Sequence, residues 1–425
     1  MARILISFLG TGPRKQAENG DVKNDRIPRK YRPANYHIGG ENLGDFSFVS
    51  LALHKKFQFD KIFLIGTARS IWEEAYNQFR GMNEGAYDQD NPDDVYYELL
   101  EACDANDYTS PLTIPHKEQV EAAMPKGSKV VLIKYGLNEE EIKENSNIVL
   151  SLADDIRNND ELFVDVTHSF RSLPFIVMQL ILYLRTIKPG SKISHIFYGM
   201  LDITSEMKYT PIVDLKSLLT VNDWITGAYS FLNFGSAYQI AELLGHEEFS
   251  DAKRLTRFSD AMNLNHLDAI RKEAQSLSAI KDREYNDKLA GMVITPTVNE
   301  FVKRFVNIRK QSVFQLRLAE WQFQHLNYAS AYISAIEAII SYVCEINELD
   351  INDYNKREDA KEILRSNHIS EGTNCPDELH GQKGIFQKMN KNRNALAHSL
   401  ETINNCSQMI KQLKESLNKL ASIIK

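Results

Sequence analysis

From residue 1 to about 215 the chain alternates short β-branched or aromatic runs with longer stretches of helical period, and no other feature narrows its fold so much. The runs are Arg3–Leu9, Lys61–Gly66, Lys129–Tyr135, Glu161–Thr167 and Lys192–Met200. The stretches between them, such as Leu43–Phe57 and Arg171–Ile187, place apolar residues three and four apart. This alternation predicts βαβ units on a mainly parallel sheet covered on both faces, with ligand sites at the carboxyl ends of the strands. After Asp214 the strand signal stops. Asn222–Leu244, Ser312–Leu349 and Ile385–Ile424 all have helical period, so two domains are expected, an α/β domain over 1–215 and an all-helical one over 216–425. Within the second, 247–300 is charged and weakly periodic and reads as a helical insert or arm.

Composition narrows the partners. At 425 residues and 43% hydrophobic positions the chain can bury more than one core. Its 50 Lys+Arg against 57 Asp+Glu leave a formal charge of −7, which speaks against broad binding of duplex DNA through a basic surface. Four cysteines without a CxxC pair suit a reduced, cytoplasmic protein. The apolar run at the N-terminus is too short for a signal peptide, and Leu173–Leu184, interrupted by Pro174 and Gln179, falls short of the ~20 residues of a membrane span, so no membrane association is expected. Two segments read as polar loops. Gly12–Glu41 follows the first strand, where a lid over a ligand would sit, and Gly81–Asp107 holds nine acidic residues and no Lys or Arg.

Three strand ends carry small polar residues: Leu9-Gly10-Thr11-Gly12, Gly66-Thr67-Ala68-Arg69-Ser70, and Asp165-Val166-Thr167-His168-Ser169-Phe170-Arg171. Glycines let a ligand approach the backbone, hydroxyls and free N–H groups bind phosphate oxygens, and Arg171 offers a forked, charged contact. Together they describe a cradle for an anionic nucleotide. Each also has a plainer reading. Gly10-Thr11-Gly12 lacks the third glycine of the dinucleotide fingerprint and serves equally as a turn, Thr67 and Ser70 can cap the following helix, and the Asp165–Arg171 block can be a satisfied structural network.

Asp-x-Thr-His followed by a small residue and Phe-Arg-Ser-Leu-Pro, with Leu-Gly-Thr-Gly on the first strand and Ile-Gly-Thr…Ser…Trp at Ile65–Trp72, resembles the CARF sensor domain of ancillary ribonucleases in type III CRISPR defence. The resemblance spans roughly the first 230 residues. It implies a Rossmann-like domain that dimerises and binds a cyclic oligoadenylate, commonly the tetra-adenylate, across its twofold axis. By that resemblance Gly10, Thr11 and Gly12 would meet phosphates or riboses, Thr67 and Ser70 would line the wall, and Thr167, His168, Ser169 and Arg171 would face the ring. The family usually has glycine where this chain has Ser169. Slow cleavage of the activator by some such sensors is a further implication, with Thr11 and Thr167 supplying hydroxyls.

In the helical half, Arg393-Asn394-Ala395-Leu396-Ala397-His398 puts Asn394 and His398 on one helix face. The apolar stripe of the segment runs through Met389, Leu396, Leu400 and Ile403, and both point away from it, either as ordinary surface or toward a second protomer. Arg-x4-His in this position resembles the motif of HEPN ribonucleases, which implies a homodimer or higher homo-oligomer cutting single-stranded RNA without a metal. The residue types suit that chemistry. His398 can act as base or orienting donor while a ribose 2′-OH attacks the adjacent phosphate, Arg393 can stabilise the charge that builds, and Asn394 can hold the phosphate or the imidazole. Products would be a 2′,3′-cyclic phosphate and a 5′-OH. The eleven histidines show no HExxH and no cluster of ligand spacing, so no metal is expected. The competing expectation is a sensor or transcription regulator whose helical domain is inactive.

Overall fold

The computed structural model describes residues 1–12, 33–85, 87–168, 172–245, 249–280, 283–286, 288–398 (backbone only at 397 and 398) and 406–425. It divides into two compact units, Met1–Leu218 and Leu219–Lys425.

The first unit holds strands β1 (Arg3–Leu9), β2 (Ala34–Ile38), β3 (Glu41–Phe46), β4 (Lys61–Gly66), β5 (Lys129–Leu132), β6 (Glu161–Asp165), β7 (Lys192–Gly199) and β8 (Thr210–Asp214). Its helices are α1 (Val49–Phe57), α2 (Trp72–Asn83), α3 (Asp94–Ala105), α4 (Lys117–Ala123), α5 (Glu139–Ser151), α6 (Leu173–Ile187) and the single turn α7 (Thr204–Met207). The strands form one eight-stranded sheet in the order β3-β2-β8-β7-β6-β1-β4-β5. Pairing is parallel through β7-β6-β1-β4-β5, as the strong apolar runs predict, because strands such as β1 and β4 are buried on both faces and need helices on each. β7–β8 and β2–β3 are antiparallel.

Two expectations are corrected here. Residues 34–46 are not loop or helix but a β-hairpin turning at Gly39 and Gly40, whose φ values of 56° and 86° suit the two-residue turns that flank twisted strands. Residues 13–32 of the expected lid lie outside the described residues. The acidic stretch is not one loop either: α3 buries Tyr96, Leu99, Leu100 and Cys103, and Asp93 caps it by accepting from the Tyr96 N–H.

The second unit is helical: α8 (Ser217–Phe234, beginning at the unit boundary), α9 (Tyr238–Leu244), α10 (Phe249–Asn263), α11 (Leu267–Leu277), α12 (Lys288–Phe305), α13 (Gln311–Gln324), α14 (Tyr328–Ile346), α15 (Tyr354–Arg365), α16 (Ile385–His398) and α17 (Cys406–Ile423). Two hydrophobic clusters hold it. One gathers Trp224, Phe231, Phe258, Ile294, Phe301, Phe314 and Trp321; the other gathers Leu316, Tyr332, Ile339, Leu364, Phe386, Met389 and Leu413. α13 supplies both, Phe314, Leu318 and Trp321 to one side and Leu316 and Ala319 to the other. Segment 247–300 is therefore no arm. Leu255, Ile270, Leu277 and Val298 carry it into the first cluster; Lys253 and Arg257 stand exposed on α10, whereas Asp251 is buried and pairs with Arg283. α14 is long and apolar enough to cross a membrane by length and composition, and 61% of its most apolar window is buried inside the fold.

Candidate functional site

β1 pairs in parallel with β4 on one side and β6 on the other. The chain lays down β4 and β5 on the first side before returning to place β6 and β7 on the second, so the order reverses at β1/β6. Open α/β sheets bind ligands outside the carboxyl ends of the strands at such a reversal. Gly10-Thr11-Gly12 leaves β1 there and Thr167-His168 leaves β6 beside it, Gly12 with φ 64°, a left-handed conformation that glycine adopts without strain.

Asp165 organises this end of the sheet. It is fully buried; its carboxylate accepts from Ser7 Oγ of β1 at 2.6 Å, and from Thr167 Oγ1 at 2.6 Å and the Thr167 N–H at 3.0 Å. Thr167 Oγ1 accepts in turn from the Gly199 N–H of β7 at 2.7 Å. Three strands are thus tied through one carboxylate. Burial raises the Asp165 pKa against the lowering effect of the Ser7 and Thr167 hydrogen bonds. Gly199 has no room for a side chain, since a Cβ would stand 2.9 Å from Val49 Cγ2 and 3.2 Å from Thr167 Cγ2. Burial of the His168 imidazole pushes its pKa down to about 4, so at neutral pH it is an uncharged donor and acceptor. Ser169 and Arg171 lie outside the described residues.

Thr67 and Ser70 face inward. They are 1% and 0% exposed; Ser70 Oγ donates to the Leu9 carbonyl at 2.7 Å and accepts from the Thr67 N–H at 2.9 Å, while Trp72 Nε1 donates to the Thr67 carbonyl at 2.8 Å. Neither caps a helix by its side chain, because the residue preceding α2 is Ile71. They lock the β4–α2 turn onto the end of β1 and set the shape beneath the site. Gly66 completes the lock: a Cβ there would lie 2.8 Å from Ser70 Oγ and Trp72 and 3.0 Å from the Leu9 carbonyl.

On α16, Ile385, Phe386 and Met389 are buried, whereas Leu396 is 38% exposed. The apolar stripe expected through Leu396 is corrected: the cluster that packs α16 reaches Met389 along this helix and does not include Leu396, and Leu400 and Ile403 lie outside the described residues. Arg393 is half-buried and its Nη2 donates to Asn390 Oδ1 at 2.8 Å, one turn back; Asn394 is exposed. His398 is the last residue of the helix, and its side chain lies outside the described set. Asn392 Nδ2 donates to Tyr332 OH at 3.0 Å and Gln412 Oε1 at 2.9 Å, which fixes α16 against α14 and α17. Among the described residues no group of three or more His, Cys, Asp or Glu is placed to hold a metal ion.

Residues 4–202 match the family model described as CRISPR system endoribonuclease Csx1, CARF domain. Those residues form a CARF domain. Residues 220–311 of this CARF protein match a second model, CRISPR-associated protein MJ1674, second domain. The curated CRISPR-associated protein MJ1674 of Methanocaldococcus jannaschii is 28% identical over 412 residues, covering 94% of this chain and 62% of its own length, so the chain spans about three fifths of that relative. Enterococcus italicus Csm6 bound to cyclic hexa-2′-fluoro-hexa-dAMP aligns over 100% of this chain and 93% of its own at 12% identity and a TM-score of 0.36, a likeness too slight to argue from.

In the CARF unit, sequence reasoning singled out the exposed end of the Asp-x-Thr-His block and passed over the groups that hold it: Ser7, Asp165 as an anchor, and Gly199. A lone serine inside an apolar strand was the available signal, since a buried hydroxyl needs a partner. In the helical unit it passed over Asn390, one residue from the buried Met389, and Asn392, three residues from it, whose side chains bond Arg393, Tyr332 and Gln412.

Proposed function

We propose that this CARF protein is a cyclic oligoadenylate-activated, metal-independent endoribonuclease of type III CRISPR defence, with cyclic tetra-adenylate as the favoured activator. The observation that carries the reading is the coincidence, at the β1/β6 reversal, of glycine and hydroxyl groups held by a buried carboxylate with a match to a family model named for an endoribonuclease. A ring of phosphates needs close backbone approach and neutral donors; Gly10, Thr11, Gly12 and the uncharged His168 are assigned that role, Thr167, whose hydroxyl and N–H both donate to Asp165, shapes the wall beside them, and Ser169 and Arg171 are assigned to the same ring. α6, which follows the site, exposes Phe175 (76%), Tyr183 (43%) and Ile187 (57%) along one side, a surface suited to a second copy of the unit.

The second unit, as an effector of HEPN type, carries the chemistry. His398 removes the proton from a ribose 2′-OH or orients it, and the 2′-oxygen attacks the adjacent phosphorus in line. Arg393, aimed by Asn390, stabilises the charge on the non-bridging oxygens. Asn394 holds the phosphate or the imidazole. The P–O5′ bond breaks, the 5′-oxygen takes up a proton, and a 2′,3′-cyclic phosphate and a 5′-OH remain. Recognition falls on phosphate and ribose, so base selectivity on this account is loose.

The test is cleavage of a single-stranded RNA with and without cyclic tetra-adenylate, run beside His398→Ala, with product ends read by mass spectrometry. Stimulation by the ring, loss in the variant and cyclic phosphate ends are expected. Equal activity in the variant, or 3′-OH ends, ends the proposal.

A further inference from the structure

Helix α8 is apolar on two sides, of which one is buried in the fold. Trp224, Gly227 and Phe231 are buried, and Trp224 and Phe231 enter the first cluster of the helical unit. Gly227 is pressed so closely that a Cβ there would stand 3.0 Å from Ile240 of α9. The other side holds Leu218, Val221, Ile225, Ala228 and Leu232. Leu218 is 51% exposed and Ile225 58%, with Tyr229 beside them at 60%, while Val221, Ala228 and Leu232 are half-buried.

Steps of three and four residues alternate along that stripe, the repeat of a coiled-coil seam. At about 100° per residue, Leu218, Ile225 and Tyr229 fall within about 40° of one another, and Trp224 and Phe231 lie about 120–140° from Leu218. Apolar residues scattered singly over a surface need no explanation, but a continuous stripe over about four turns does. A helix apolar on both sides belongs in an interior, and α8 has only one of its sides there.

Chemistry limits what can cover the other. Asp223 is the only charged residue of α8, and at about 140° from Leu218 it stands off the stripe. A nucleic acid would find no cation there, and a charged peptide no counter-charge. A helix face is a ridge rather than a cleft, so a small molecule would bury little of itself. A second helix with the same spacing fits it, knobs into holes, and with no charge on the ridge two copies meet without repulsion. The chain itself supplies that helix. Ile225 is the midpoint of the stripe, so a twofold axis puts it opposite its own counterpart whether the two helices run parallel or antiparallel. We infer that α8 pairs with the α8 of a second copy of this chain through the stripe centred on Ile225. The pairing adds a contact to the dimer of the proposed function, but the ring, the RNA and α6 carry none of the argument, so the two fail separately.

Sedimentation equilibrium of the full-length protein tests it. The seam is short beside the ~20–30 residues a side of a standard interface, so one charge at its middle should break it. Ile225→Glu and Ile225→Lys should each raise the dissociation constant of the dimer about a hundredfold, since like charges then face each other, and an equimolar mixture of the two should bring it back to within about tenfold of the parent's. Ile225→Cys in a Cys406→Ser background, which removes the exposed native thiol, should form a disulfide-linked dimer under mild oxidation by oxygen that Cys406→Ser alone does not. A parent that is monomeric at micromolar concentration, an unchanged dissociation constant in both charged variants, no recovery on mixing, or no linked dimer in the cysteine variant overturns the assignment. A dimer that persists unchanged in the charged variants has its contact elsewhere and leaves the ring-binding reading intact. Cleavage that ignores the ring while the variants behave as expected removes that reading and keeps the seam.

Discussion

The strand-end site and the α16 motif are both polar constellations at the edge of an apolar core, yet they are held very differently. At the sheet end, one buried carboxylate fixes Ser7, Thr167 and, through Thr167, the backbone of β7, so the geometry is complete within a single chain. On α16 Arg393 donates to Asn390 of its own helix, and Asn394 faces solvent. The contrast teaches that a cradle of strand ends can be preorganised by its own fold, whereas polar side chains displayed on the outer turns of a helix gain their full order from what docks against them.

The sharpest way to break this comparison is at the helix. His398→Ala should lower ring-stimulated RNA cleavage by about 10²–10⁴-fold, the range for losing a general acid or base, while leaving cyclic tetra-adenylate binding intact; parallel loss of binding would show that the two sites are not separable. Next in size, Asp165→Ala should lower the unfolding free energy by about 3 kcal/mol in denaturant titrations, because the Ser7 and Thr167 hydroxyls lose their acceptor inside the sheet. A change near zero would mean that the cradle is not held as described.

His168 gives a pH-dependent handle of about 1–3 kcal/mol. The unfolded chain takes up a proton at this imidazole near its ordinary pKa of 6.5, whereas the native imidazole stays neutral down to about 4. Stability should therefore fall as the pH drops from 6.5 toward 4, and His168→Phe should flatten that slope in denaturation measured across the interval. An unchanged slope would place the titration elsewhere. The smallest effect belongs to Asn390→Ala, which frees Arg393 and should reduce cleavage severalfold, about 1 kcal/mol, with ring binding unaffected.

Much of this architecture could be read from residues alone. The parallel core strands announced themselves because burial on both faces demands continuous apolar runs; β4 is Lys61–Gly66 in sequence and structure alike. The hairpin of β2 and β3 did not, although Gly39-Gly40 was its signal, because Ala34–Ile38 and Glu41–Phe46 are short and partly polar and β2 takes its parallel partner, β8, from more than 170 residues away. At the site, hydroxyl residues at strand ends were visible, but a sequence cannot say whether Ser70 turns to a ligand or to the Leu9 carbonyl. That choice is made by the turn that Gly66 permits. Likewise the 247–300 charges hid a core, since α10–α12 bury few residues per turn and keep the rest wet.

The position of α13 has a practical corollary. One cylinder lends its opposite sides to two oil drops, so neither can be excised with its wall intact. A cut at residue 311, where the second family match ends, would strip Phe314, Leu318 and Trp321 from one half; a cut beyond residue 324 would take Leu316 and Ala319 from the other. Fragments made at either place should be sticky and molten, and the two halves of the helical unit should melt as a single cooperative event.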